Sequence, residues 1–179
     1  MHIGLFGLSG SGKSFLIREF VKKHPDYLGL SASDLIKQAG QDTNYETINK
    51  SKVEKNQSYL IYKYELIRKQ TENTIIELHN VVETTEGASW IKEDVLLSLK
   101  LEQVAFLNTP PQLILENRKI DKSKKRPESN LIKTKDLQRL SIENLKNIYS
   151  TFDIYLLSKE TGITQLEELI YSGTPTKSH

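Results

Sequence analysis

The stretch Gly7-Leu8-Ser9-Gly10-Ser11-Gly12-Lys13-Ser14 stands directly behind the apolar run Ile3-Gly4-Leu5-Phe6 and directly ahead of Phe15 to Lys23, where Leu16, Ile17, Phe20 and Val21 share one helical face. It meets the pattern G-x-x-x-x-G-K-[ST] through Gly7, Gly12, Lys13 and Ser14, with Gly10 as a further glycine inside the loop. Glycines allow backbone conformations in which successive N–H groups turn inward and surround phosphate oxygens at the positive end of the next helix. The motif therefore demands a strand before it and a helix after it. A plain turn between the two has no use for Lys-Ser immediately behind the last glycine.

The rest of the chain repeats that unit. Short apolar runs at His2 to Phe6, Tyr27 to Leu30, Thr74 to Leu78, Gln103 to Leu107 and Asp153 to Leu157 predict strands. Helical periodicity predicts helices over Phe15 to Lys23, Glu46 to Lys69, Trp90 to Leu99, Pro111 to Lys119, Leu131 to Tyr149 and Gln165 to Tyr171. Pro110 and Pro111 suit a helix entrance, and Thr164 followed by Glu167 fits a capping box. Strands alternating with helices imply an α/β class built on a mostly parallel sheet. No repeat or linker divides residues 1–179, so one domain is expected, with a frayed tail from Ser172 to His179.

Charge narrows the partners. Lys plus Arg number 25 against 23 Asp plus Glu, and a net charge of +2 gives no general attraction for nucleic acid or an acidic membrane. The absence of cysteine removes disulfide scaffolds, thiolate metal sites and Cys nucleophiles. With no long apolar run, a soluble, cytoplasmic protein is expected.

Three further stretches bear on which phosphate chemistry the loop serves. In Ser31-Ala32-Ser33-Asp34, the acid either caps a helix or faces the phosphate loop, where it holds metal-bound water or orients an acceptor. Glu77 closes an apolar strand, and a strand-end acid beside a phosphate loop is the natural holder of Mg²⁺ or its water. His79 follows it, as a packed residue or a ligand. The run from Arg118 to Arg126 carries six cations against one acid; it is a solvated loop, a nucleic-acid patch, or a lid that closes over a triphosphate.

Taken in order, these stretches resemble the nucleoside monophosphate kinases, and most closely the archaeal-type adenylate kinase family. The resemblance continues through Asn80 to Gly87, through Pro111 to Leu115 and through the long helix after the lid, so it covers nearly the whole chain. It implies a P-loop NTPase fold with five parallel strands ordered 2-3-1-4-5, helices on both faces, an acceptor-binding helical region over residues 32–72 and a mobile lid over 118–130. It also implies Mg·ATP-dependent phosphoryl transfer to a nucleoside monophosphate, nucleotide substrates as partners, and a homo-oligomeric habit.

The nucleotide-binding set is then Gly7, Ser9, Gly10, Ser11, Gly12, Lys13, Ser14 and Phe15, with Ser14 and Glu77 at the metal. Lys13, Asp34, Glu77, Arg118, Lys125 and Arg126 are the catalytic candidates. The chain departs from the family where an arginine grips the acceptor phosphate: Asn49 stands there, beside Lys50. The strand-end acid is glutamate where aspartate is usual, and the lid is mainly lysine, which lacks the bidentate fork of arginine. A kinase of another small acceptor, such as a deoxynucleotide or a phosphorylated metabolite, and an ATP-binding regulator are the alternative expectations.

Overall fold

The apolar run ahead of the glycine loop is β1 (His2–Phe6), buried at every residue and central in its sheet. In the computed structural model, residues 1–172 are described apart from 42, 45–47, 85, 122–125, 127 and 152. After β1 the chain forms α1 (Lys13–Lys23), β2 (Leu28–Ser31), α2 (Ala32–Gln38), α3 (Lys50–Arg68), β3 (Thr74–Glu77), β4 (Val81–Thr84) and β5 (Gly87–Trp90). It continues through α4 (Glu93–Ser98), β6 (Gln103–Leu107), α5 (Pro111–Ile120), α6 (Leu131–Ile148), β7 (Ile154–Leu157) and α7 (Gly162–Ser172).

Five strands pair in parallel in the order β2-β3-β1-β6-β7. Counted among the five strands read from the sequence, this is the expected order 2-3-1-4-5. Side chains alternate along each strand and so feed two cores. Ile3, Leu5, Ile75, Ala105 and Leu107 pack on one face against Leu16, Ile17 and Phe20 of α1 and Leu166 and Leu169 of α7. Phe6, Ile76, Val104 and Phe106 pack on the other face against Leu60 and Tyr64 of α3, Leu96 of α4 and Leu145 of α6. Helices thus cover both faces, as a parallel sheet requires.

Two local expectations need correction, and two more run into residues outside those described. Trp90 does not open a helix: it ends β5, paired with Val81 across an antiparallel hairpin whose second strand opens on Gly87 at φ 102°. Thr164 does not cap α7, which is already helical from Gly162, with the Gln165 N–H donating to the Thr161 carbonyl at 2.9 Å. Helix α3 opens at Lys50 because the Asn49 side chain accepts from the Lys52 N–H at 2.9 Å; the expected start at Glu46 lies outside the described residues. Ser172 closes α7, and the remainder of the expected frayed tail, 173–179, lies outside the described residues. Among the described residues, no helix is long and apolar enough to cross a membrane.

Candidate active site

In a parallel sheet, the carboxyl ends of the strands share one edge, and ligands bind in the crevice outside it. Here β1 ends in the glycine loop, while β3 ends in Glu77, register partner of Leu5 in β1 and of Ser31 in β2. A cavity of about 470 Å³ opens at this edge, lined by Gly10, Gly12, Lys13, Ser14, Glu77 and His79 among others. The loop's backbone is unusual in the way the motif demands. Gly10 and Gly12 sit at φ 87° and 99°, left-handed conformations that a side chain strains. At Gly10 space is also short, since a Cβ there would meet Arg118 Cγ at 2.9 Å and the Ile114 carbonyl at 3.2 Å.

Lys13 and Ser14 open α1, so both side chains stand at the positive end of a helix. The Lys13 ammonium is buried and must be paired: it donates to the Gly7 carbonyl at 2.8 Å and the Leu8 carbonyl at 3.0 Å, and lies 3.7 Å from Glu77 Oε1. Ser14 is exposed and donates to Glu77 Oε2 at 2.6 Å, a charge-assisted bond. A cation, a hydroxyl and a carboxylate thereby converge at the mouth of the loop. A serine hydroxyl and one carboxylate form a small set of hard oxygen donors, which suits Mg²⁺, an ion that keeps several waters and takes its other ligands from substrate phosphates. Among the described residues, no cluster of three His, Asp or Glu offers a self-contained metal site.

The loop's outer side is held by Thr109 and Asn117, which sequence reading passed over, and by Arg118 and Arg126, which it named. Thr109 Oγ1 donates to the Ser11 carbonyl at 2.7 Å, and Asn117 Nδ2 to the Gly10 carbonyl at 2.8 Å. Arg118 Nε donates to the Ser9 carbonyl at 2.8 Å, and its two terminal nitrogens fork onto Glu83 at 3.1 and 2.5 Å. Arg126 Nε donates to Ser9 Oγ at 2.8 Å while its Nη2 meets Asp121 Oδ2 at 2.7 Å. Thr109 and Asn117 carry no sequence pattern of their own, and Glu83 lies 35 positions from its partner.

Of the residues singled out from sequence, Ser9, Gly10, Gly12, Lys13, Ser14, Phe15, Glu77, His79 and Arg126 line the cavity, joined by Asn117, Asp121 and Lys159. Gly7 and Ser11 shape the loop from beneath, Ser11 through its N–H to the Leu8 carbonyl at 3.1 Å. Phe15 is exposed, with the Arg18 guanidinium 5.3 Å above its ring. Arg118 is not among the cavity's walls. Asp34 is not brought to the cavity either: its N–H donates to the Ser31 hydroxyl that caps α2, and its carboxylate pairs with Lys37 at 3.4 Å. Asn49 is the α3 cap, and the Lys50 N–H donates to Glu86 Oε2 at 3.4 Å. Lys125 lies outside the described residues.

Solved structures with the same fold include kinases of small molecules. Shikimate kinase from Bacteroides thetaiotaomicron superposes with a TM-score of 0.63 at 14% identity, covering 94% of this chain and 97% of its own. Shikimate kinase from Acinetobacter baumannii in complex with shikimate gives 0.62 at 15%, covering 96% and 93%. Deoxyadenosine kinase from M. mycoides with bound dCTP gives 0.58 at 17%, covering 96% and 100%. At such identities the likeness establishes a shared fold, that of the P-loop kinases. No curated protein matches the chain. The family model described as AAA domain (AAA_17) matches residues 6–135, well over half of the chain, which therefore belongs to that family.

Proposed function

We propose that the chain is a Mg·ATP-dependent phosphotransferase that moves the γ-phosphoryl group to a small acceptor, with nucleoside monophosphates as the acceptor class implied by the sequence resemblance. The observation that carries it is the convergence of Lys13, Ser14 and Glu77 within one hydrogen-bonded set at the mouth of a glycine loop. The loop fits a phosphate chain: its backbone turns through left-handed conformations at Gly10 and Gly12, and the Lys13 ammonium is held inside the loop instead of extending into solvent.

In this reading Gly10 and Gly12 present backbone N–H groups to the phosphate oxygens, and Lys13 exchanges neutral carbonyl oxygens for anionic phosphate oxygens, which are stronger acceptors. Ser14 and Glu77 would hold Mg²⁺, which when bound supplies neutralisation of charge on the transferred group. An acceptor oxygen forms a bond to the γ-phosphorus as the bond to the β,γ-bridging oxygen breaks, and ADP leaves; a nucleoside monophosphate attacks through an already ionised phosphate oxygen and releases no proton, whereas a hydroxyl acceptor gives its proton to solvent or a nearby carboxylate. No side-chain nucleophile is required, because positioning and electrostatics dominate this chemistry. Arg126, whose guanidinium bonds Ser9 Oγ, belongs to the proposed lid; of the residues 118–130 expected there, Arg118 to Ile120 instead close α5. Asp34 is retained on the acceptor side because it closely follows Ser31, the register partner of Glu77.

A second reading of the acceptor has its own support. Asn49 spends its side chain on capping α3, so nothing at that position is built to grip a nucleotide phosphate, and the structural neighbours named above are kinases of shikimate and of deoxyadenosine. The acceptor would then be a hydroxylated metabolite or a nucleoside. ADP release from Mg·ATP, measured across nucleoside monophosphates, deoxynucleosides and hydroxylated metabolites, decides between the two. Release that requires one acceptor supports the proposal and names the class; slow release independent of any acceptor refutes it in favour of a nucleotide-binding regulator.

A further inference from the structure

Three consecutive carbonyls of the glycine loop, those of Ser9, Gly10 and Ser11, each accept a hydrogen bond from a different side chain, at 2.8, 2.8 and 2.7 Å. All three donors, Arg118, Asn117 and Thr109, belong to the short segment from the end of β6 through α5. We infer that these side chains form a template that sets the peptide orientations of the phosphate loop, and that Glu83 is the positioning residue that holds its Arg118 arm. The inference rests on reading the loop as the phosphate site.

A planar trans peptide points its N–H opposite to its C=O. Anchoring the Ser9 carbonyl to Arg118 and the Ser11 carbonyl to Thr109 therefore turns the N–H groups of Gly10 and Gly12 the other way, and both residues line the cavity. The N–H of Ser11 closes a turn onto the Leu8 carbonyl, leaving the other two for ligand. Glycines alone make the loop permissive, not specific; the template selects one conformation and removes the entropy cost of ordering it when ligand binds.

Two of the three arms, Thr109 and Arg118, are themselves held. Thr109 is fully buried, and its own carbonyl accepts from Gln138 Nε2 of α6 at 2.9 Å. The Arg118 guanidinium is largely buried and engaged on every nitrogen, by Ser9 on one side and by the Glu83 fork on the other. Glu83 lies on the unanticipated hairpin, whose Val81 packs with Leu8 of the loop and Ile114 of α5. Among the described residues, the Glu83 carboxylate bonds Arg118 only, so its influence on the loop runs through that arginine. Arg118 thus orients the groups that meet phosphate and does not meet it itself.

The test titrates the full chain and its variants with Mg·ATP and with inorganic tripolyphosphate, which reads the phosphate cradle without the base, and records the Tm of each. Arg118→Gln and Thr109→Val are expected to weaken both ligands about tenfold, as loss of one well-placed donor implies. Glu83→Gln weakens both about threefold, the double variant Glu83→Gln/Arg118→Gln binds no worse than Arg118→Gln alone, and Thr109→Ser keeps full affinity. The ratio of ATP to tripolyphosphate affinity stays constant throughout. Should Arg118→Gln or Thr109→Val not fold, Glu83→Gln and Thr109→Ser carry the comparison. Affinities within twofold of the unaltered chain, or additive losses in the double variant, overturn the template while leaving the phosphotransferase reading intact. If the unaltered chain binds neither ligand, both fall.

Discussion

Replacing Glu77 by glutamine separates two roles that its carboxylate combines. One is structural: Oε1 lies 3.7 Å from the buried Lys13 ammonium. At an effective dielectric constant near 20, that separation corresponds to a gross attraction of about 4 kcal/mol. Desolvation offsets most of it, and Lys13 keeps its bonds to the Gly7 and Leu8 carbonyls, so the net loss of stability is about 1–2 kcal/mol. For a chain of this size that is a Tm decrease of about 2–8 °C. The other role is chemical: glutamine still accepts the Ser14 hydroxyl but offers no anionic oxygen to a metal. Losing about 2–4 kcal/mol of stabilisation of the transferring group lowers kcat by about 30- to 1,000-fold. The two roles also differ in sign for the ligand. Without Mg²⁺, ATP binds Glu77→Gln as tightly as the unaltered chain or more tightly, because a negative charge beside the phosphates is gone; with Mg²⁺, the concentration needed for half-maximal rate rises. Thermal unfolding, a coupled ADP assay and a magnesium titration measure these separately. A lower Tm with unchanged kcat and magnesium dependence would show that Glu77 only neutralises Lys13, and would refute its role at the metal.

Other perturbations report on single elements. Gly10→Ala places a Cβ 2.9 Å from Arg118 Cγ at a backbone φ of 87°, and is expected to lower stability by about 1–3 kcal/mol in urea unfolding while weakening Mg·ATP. Asn49→Ala removes the α3 cap and costs about 1 kcal/mol of stability with no change in acceptor KM; a raised KM would show instead that Asn49 touches the acceptor. Burial, reinforced by Arg68, holds the His2 imidazole below its ordinary pKa of 6.5. The unfolded chain therefore binds that proton more readily, so the contribution of His2 to stability is complete above pH 6.5 and is lost as the pH falls through the lowered folded value. Urea midpoints taken from pH 7.5 down to 5 should show this decline, and His2→Gln should flatten it.

Sequence disclosed most where conformation is encoded locally. The glycine loop was legible because left-handed φ values at Gly10 and Gly12 call for glycine, and because Lys13 and Ser14 have no other reason to follow them. Strands β1, β3 and β6 were legible as buried apolar runs, although their order in the sheet came from resemblance and not from the runs. The hairpin β4–β5 escaped because its strands of four residues pair only with each other, and Trp90 fits a helical face as readily as a strand end. Asn49 was read as a missing acceptor arginine when the local signal, an Asn ahead of a helical run, was that of a cap. The partners of Arg118 were hidden for a physical reason: Ser9 and Glu83 lie 109 and 35 positions away, and only the fold sets such pairings.

The central claim is that this loop holds the phosphates of ATP for transfer and not merely for binding. Following γ-³²P from labelled Mg·ATP, with the acceptor panel present, tests it most directly. The predicted result is label on one acceptor with the unaltered chain and none with Lys13→Ala, which stays folded by circular dichroism. Label released only as inorganic phosphate, or undiminished transfer by Lys13→Ala, would contradict it.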